Sequence, residues 1–281
     1  MRSVQLAERP LIMGIVNVTP DSFYDGGHFF QAQAATEHAV RLVEEGADIL
    51  DIGAESTRPG SLPVDEQEER RRLIPVVTAV AKAVKIPISV DTTKASVARA
   101  AIDAGAAIVN DVTALRGDSD MATVVANTGA GVVLMHMQGT PGTMQEAPFY
   151  RDVVAEVSSF FEERIAYAEA HHVARTQIIL DPGIGFGKLV GNNLELLSQL
   201  RAFGKFGRPV LIGLSRKGFL GKITGRSVED RLWGTAAAVA LAVDRGAHII
   251  RVHDVAPMRD VVKVAAAIAQ RNLSQVQAQH A

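Results

Sequence analysis

Residues 177–188 read QIILDPGIGFGK. Three consecutive apolar positions lead into an acid, a proline and three glycines, the pattern of a short buried strand that ends on a polar residue and opens into a tight loop. Glycine-rich loops after strands often cradle nucleotides, so the spacing decides what kind of fold this is. A P-loop needs a glycine five residues before Gly187 and a hydroxyl residue after Lys188, but Pro182 and Leu189 stand there. A dinucleotide fingerprint needs a glycine three residues after Gly185, where Lys188 stands. Asp181 therefore ends a strand that serves some other ligand.

Seven further stretches have the same character: LIMGIVNV from Leu11, DILDIGAE from Asp48, IPISVDTT from Ile86, AIVNDVTA from Ala107, GVVLMHM from Gly131, PVLIGLS from Pro209 and HIIRVHDV from His248. Between them lie segments with apolar residues at helical spacing, over 32–45, 65–84, 94–104, 118–128, 151–173, 192–203, 228–245 and 257–271. Three of these close on a glycine, in EEGAD, DAGAA and DRGAH. Strict strand and helix alternation implies a parallel sheet, and eight repeats over roughly 250 residues match a single (β/α)8 TIM barrel with long loops after its first two strands. A doubly wound sheet is the competing architecture. Against it stand the missing dinucleotide fingerprint and a composition without a break. The chain is read as one domain over residues 1–281, with 271–281 as a frayed tail.

Composition narrows the function classes. With 47% hydrophobic and 21% charged residues, the 281-residue chain is an ordinary globular protein. It contains no cysteine, which removes disulfides and thiolate chemistry and leans towards a cytoplasmic setting. The start, MRSVQLAERP, lacks the apolar core of a signal peptide, and the apolar run 236–243 is too short to span a bilayer. The formal net charge of -2 gives no global attraction for nucleic acid. Neither nucleic acid nor a membrane is expected as a partner.

In a TIM barrel the functional groups sit at the carboxyl ends of the strands. Those ends carry Asn17, Asp51, Glu55, Asp91, Asn110, Asp111, His136, Asp181, Ser215, Lys217, Arg251 and His253. Some have plain structural uses: Asp51 for groups inside the barrel, Asn110 and Asp111 for capping a loop, His136 as a hydrogen-bonded core histidine. Lys217, Arg251 and His253 end the last two strands, where barrels frequently bind phosphate, and Asn17 on the first strand is adjacent by closure. The cations could equally neutralise Asp91 and Asp181. Asp91, Asn110 and Asp181 offer the carboxylate and amide set that suits the N–H edge of a flat heterocycle. Clustered acids can also bind a metal, but that use calls for more ligands converging. The loops TPDSFYDGGHFF (19–30) and STRPGSLPVD (56–65) have the content of lids.

Seven motifs, GIVNVTPDSFYDGG (14–27), DIGAESTRPG (51–60), ISVDTTK (88–94), IVNDVTAL (108–115), DPGIGFGK (181–188), GLSRKGFLG (213–221) and RVHDV (251–255), resemble in order and spacing those of the dihydropteroate synthase family. The resemblance spans about residues 11–255. It implies condensation of 6-hydroxymethyl-7,8-dihydropterin pyrophosphate with p-aminobenzoate to give 7,8-dihydropteroate and pyrophosphate, in folate biosynthesis. It also implies a pterin pocket of Asp91, Asn110, Met135, Asp181, Gly213, Lys217 and Arg251. Pyrophosphate would fall to Asn17, Thr57, Arg58, Arg251 and His253, with Mg²⁺ as cofactor and Asn17 as its ligand. Phe23, Thr57, Arg58, Pro59, Phe186, Lys188 and Ser215 would surround p-aminobenzoate. Catalysis would rest on Asp91, Lys217, Arg251, His253 and Asn17. Such enzymes are usually cytoplasmic homodimers and sulfonamide targets. Two departures, Tyr24 where serine is common and LVGNN after GFGK, fall outside these positions. The alternatives are a methyl-transferring relative that acts on methyltetrahydrofolate, which would not need the Lys217, Arg251 and His253 anion site, and a non-catalytic pterin-binding paralogue.

Overall fold

The computed structural model describes residues 9–18, 27–56, 60–61 and 64–269. Eight parallel strands form its centre: β1 (Leu11–Asn17), β2 (Ile49–Gly53), β3 (Ile88–Asp91), β4 (Ile108–Asp111), β5 (Gly131–Met135), β6 (Ile178–Asp181), β7 (Leu211–Gly213) and β8 (Ile249–Val252). The ladder runs β6-β5-β4-β3-β2-β1-β8-β7. A parallel bridge between Leu180 and Val210 joins its two ends, with the Leu180 N–H donating to the Pro209 carbonyl at 2.9 Å. The sequence of parallel neighbours is that of a (β/α)8 barrel, as the alternation predicts.

Helices α1 (Gly27–Glu44), α2 (Glu66–Ala83), α3 (Ala95–Asp103), α4 (Met121–Thr128), α5 (Val153–Ala170) and α6 (Val190–Ser198) follow the first six strands in turn. After β7 come a short α7 (Gly218–Thr224), absent from the periodicity reading, and α8 (Leu232–Asp244); α9 (Val255–Ala269) follows β8. The segment expected as one helix over 192–203 divides into α6 and a 3-10 turn over Leu200–Phe206. Local chemistry explains several starts and stops. Asp65 caps α2 by accepting the Glu68 N–H, and Asp152 caps α5 by accepting the Val154 and Ala155 N–H groups. The helix before β4 closes through Gly105 at φ +117°, a conformation that L side chains rarely adopt.

Side-chain alternation along each strand sorts two cores. Outward residues such as Ile12, Leu50, Val90, Val109, Leu134, Leu180, Ile212 and Ile250 join the helices in one large cluster. Inward residues Leu11, Met13, Ile49, Ile108, Val133, Ile179, Leu211 and Ile249 fill the barrel's lower interior as a second cluster. Being buried on both faces, the strands read as nearly continuous apolar runs. One inward position further along, at the carboxyl ends, the lining turns polar.

Candidate active site

Strand register sets this polar layer. Asp91 lies opposite Gly53 and Asn110, Met135 opposite Asp181, and Gly213 opposite Arg251. A pocket at this end is lined by Asp91, Asn110, Val112, Met135, Asp181, Ile184, Phe186, Gly213, Lys217 and Arg251. All seven residues expected to form the pterin pocket therefore line one pocket. Val112 and Ile184 were missed, because apolar residues just past a strand carry no chemical signal in sequence.

Arg251 organises the floor. Its Nε donates to Asp51 Oδ2 at 2.6 Å and its Nη2 to Asp91 Oδ2 at 3.0 Å. The same Asp51 oxygen accepts from Asn110 Nδ2 at 2.9 Å, while Asp51 Oδ1 is buried without a partner. Asp51 thus serves the barrel interior, as one of its two readings held, and aims both Arg251 and Asn110. Burial raises Asp91 to about 7, with Arg251 opposing the rise and Asp51, Glu69 and Asp111 adding to it. Burial also works against charge on Arg251, but Asp51 and Asp91 outweigh it and hold the guanidinium protonated. Of the expected neutralising pairs, the structure forms that of Arg251 with Asp91.

Asp181 accepts the Gly183 N–H at 2.7 Å, and burial raises its pKa against the pull of that bond and of Lys217 and Arg251. The Lys217 ammonium stands 4.1 Å from the centroid of the Phe186 ring. Burial lowers it to about 8, helped by Arg251 and opposed by Asp181 and Asp91. A flat ligand with N–H donors would meet Asp91, Asn110 and Asp181 on its edge and the Phe186–Lys217 pair beside it.

The last strands hold a second cluster. The Ser215 hydroxyl accepts the His253 backbone N–H at 3.2 Å and lies 3.0 Å from its Nδ1. Arg216, at φ +57°, pairs its guanidinium with Asp254 at 2.6 and 3.1 Å, tying the loop after β7 to the end of β8. Asn17 ends β1, which pairs with β8, so Asn17 and His253 end neighbouring strands as barrel closure predicts. Among the described residues, no group of three or more His, Cys, Asp or Glu could hold a metal.

Four expected residues take structural places. Asp111 accepts the Thr113 and Leu115 N–H groups and the Thr113 hydroxyl, restraining Ala114 and Leu115 at positive φ. His136 and Lys188 bind one another beneath the 183–187 loop at 2.9 Å. Burial pushes Lys188 down to about 7 and His136 to about 2. Glu55 and the fully buried Glu69 both accept from Lys94, an ion-paired group at the foot of the second loop that motif spacing did not reveal. Phe23, Thr57, Arg58 and Pro59 lie outside the described residues, as do Tyr24 and the tail 271–281.

Comparison with known proteins agrees with this geometry. Residues 13–253 match the family described as pterin binding enzyme. The dihydropteroate synthase of Escherichia coli K12 is 46% identical over 255 residues, covering 91% of this chain and 90% of the relative. A solved dihydropteroate synthase of Xanthomonas albilineans with 4-aminobenzoic acid has 50% identity and a TM-score of 0.87, covering 92% of this chain and 93% of that one. That of Yersinia pestis, solved with a sulfonamide drug complex, has 41% identity and a TM-score of 0.90, covering 96% and 98%. With the motifs in order, the pocket assembled and the relatives matched over nine-tenths of their length, the chain belongs to the dihydropteroate synthase family of pterin-binding enzymes.

Proposed function

We propose that the pocket condenses 6-hydroxymethyl-7,8-dihydropterin pyrophosphate with p-aminobenzoate by a dissociative, SN1-like substitution, releasing pyrophosphate. The observation that carries this reading is the convergence of Asp91, Asn110, Asp181, Lys217 and Arg251 on one pocket. Asp91, Asn110 and Asp181 hold the pterin edge. Arg251, fixed by Asp51 and Asp91, lies against the ring, and the negative potential of Asp91 favours the cation that develops on the pterin methylene. No protein nucleophile is required, because the aromatic amine attacks that carbon directly and loses its proton.

Pyrophosphate departs towards Asn17, Arg251 and His253, with Thr57 and Arg58 as its further expected ligands. Among the described residues no group of three or more His, Cys, Asp or Glu could hold a metal, which fits a Mg²⁺ that would take the Asn17 amide oxygen and otherwise be held by the substrate's phosphates and water. When bound, Mg²⁺ would neutralise charge on the leaving group. Phe186 and Lys217 form one wall of the p-aminobenzoate site, with Phe23, Pro59 and Ser215 completing it. A sulfonamide that imitates p-aminobenzoate would occupy the same place.

Exposed Trp233 and Leu241 on α8 and Val264 and Ile268 on α9 support a homodimer formed through these packed helices. No helix among the described residues is long and apolar enough to cross a membrane, and the lack of cysteine supports a cytoplasmic setting.

The test is pyrophosphate release from dihydropterin pyrophosphate, with p-aminobenzoate and Mg²⁺, beside a Lys217→Ala control. Release should require both substrates, fall on chelation and collapse in the variant. Retained pterin binding without release in the wild type would make the chain a binding paralogue.

A further inference from the structure

The 183–187 loop is held from below at nearly every residue. Gly183, Gly185 and Gly187 all have positive φ, and a Cβ on Gly183 or Gly187 would overlap the His136 or Gln138 carbonyl. The Gly185 N–H donates to Asn193 at 2.7 Å, its carbonyl accepts from Gln145 at 2.9 Å, and the Gly187 carbonyl accepts from the Tyr150 hydroxyl at 2.7 Å. Of the other carbonyls, those of Gly183 and Phe186 accept from Lys188. Its ammonium donates to them at 3.0 and 2.9 Å and to the His136 carbonyl at 3.2 Å, and stands 2.9 Å from His136 Nδ1, which shares the third N–H. Lys188 is 3% exposed, so its ammonium is closed off from a substrate. The Phe186 ring sits on Val112, Met135, Met137 and Met144, with Lys217 on it.

We infer that Lys188 is a positioning residue: by holding the Gly183 and Phe186 carbonyls beneath the loop, it fixes the attitude of the Phe186 ring and so sets affinity for the aromatic amine without touching it. A hydrophobic side chain in its place would remove the ammonium from the Phe186 and His136 carbonyls and from His136 Nδ1, leave the Gly183 carbonyl with only the Phe186 N–H at 3.0 Å, and let the loop turn its carbonyls upward. The inference rests on Phe186 being a wall of the p-aminobenzoate site.

A double-mutant cycle on the full chain tests both statements. KM for p-aminobenzoate, kcat, affinity for dihydropterin pyrophosphate and Tm would be measured for wild type, Lys188→Met, Phe186→Leu and the double variant. Lys188→Met and Phe186→Leu should each raise that KM about tenfold, with pterin affinity within about twofold of wild type in Lys188→Met, and the double variant should be no worse than the worse single. Effects that multiply, or an unchanged KM in Lys188→Met beside a raised one in Phe186→Leu, would overturn the inference while the pocket reading stands. An unchanged KM in Phe186→Leu would remove the pocket reading and the inference together. If Lys188→Met does not fold, Tyr150→Phe, which frees only the Gly187 carbonyl, takes its place, with a rise of about threefold expected and an unchanged KM overturning the inference.

Discussion

The lower and upper interiors of the barrel differ by one inward step along the same strands. On β2, β4, β6 and β8 the inward residue changes from Ile49 to Asp51, Ile108 to Asn110, Ile179 to Asp181 and Ile249 to Arg251. Below, four isoleucines on alternate strands interdigitate with Leu11, Met13, Val133 and Leu211 in a dry layer. Above, carboxylates and cations are taken out of water and leave an Asp51 oxygen without a partner. One layer stabilises the fold, while the other spends stability on a site preorganised for a charged, flat ligand.

Substitutions in the two layers should therefore separate activity from stability. The largest effect is expected for Lys217→Met, which should lower kcat/KM by about 10²–10³ in the pyrophosphate assay while leaving Tm equal or higher at pH 7. The sign follows from its lowered pKa. Between about 8 and the ordinary lysine value the unfolded chain binds the extra proton, so wild-type stability gains a contribution there as pH rises, and Met removes that slope. A large fall in Tm would place Lys217 with the stabilising layer instead. Asp51→Ala, on the boundary, should break the separation: Arg251 and Asn110 lose their shared acceptor, and urea unfolding and kcat/KM should both fall, stability by about 3–5 kcal/mol.

Leu211→Ala should cost about 2–5 kcal/mol by urea unfolding, with kcat/KM of the folded fraction unchanged within about twofold. A matching loss of activity would show that the lower layer tunes the pocket. The pH profile gives a finer probe. Activity should decline above about pH 8 as Lys217 loses its proton, and this limb should move to higher pH in Lys217→Arg. The smallest change belongs to Ser89→Ala. Its hydroxyl is buried without a partner, so removal should shift stability by less than about 0.5 kcal/mol or raise it slightly.

Much of this was legible beforehand. Eight strands were placed because buried parallel strands are short apolar runs, and their polar ends stood out against those runs. Asp181 followed by glycines was readable as a ligand-facing acid because only a loop crowded against another chain segment needs so many positive φ values. Lys188 was harder. Proximity in sequence put it with the aromatic-amine residues, but its ammonium turns under the loop to His136, 52 positions away. Helix α7 was missed because seven residues are too few for a periodic signal.

The sequence by itself determined the repeating strand and helix pattern, the polar residues at strand ends and the exclusion of both nucleotide loops. These depend on periods of two and 3.6 residues and on local turn chemistry. Only the tertiary structure decided that Arg251 would reach Asp51 and Asp91, separated from it by 200 and 160 positions, and which cation would be spent on the scaffold rather than the substrate. Those pairings depend on strand register and barrel closure, which bring together groups whose mutual distance no local pattern encodes.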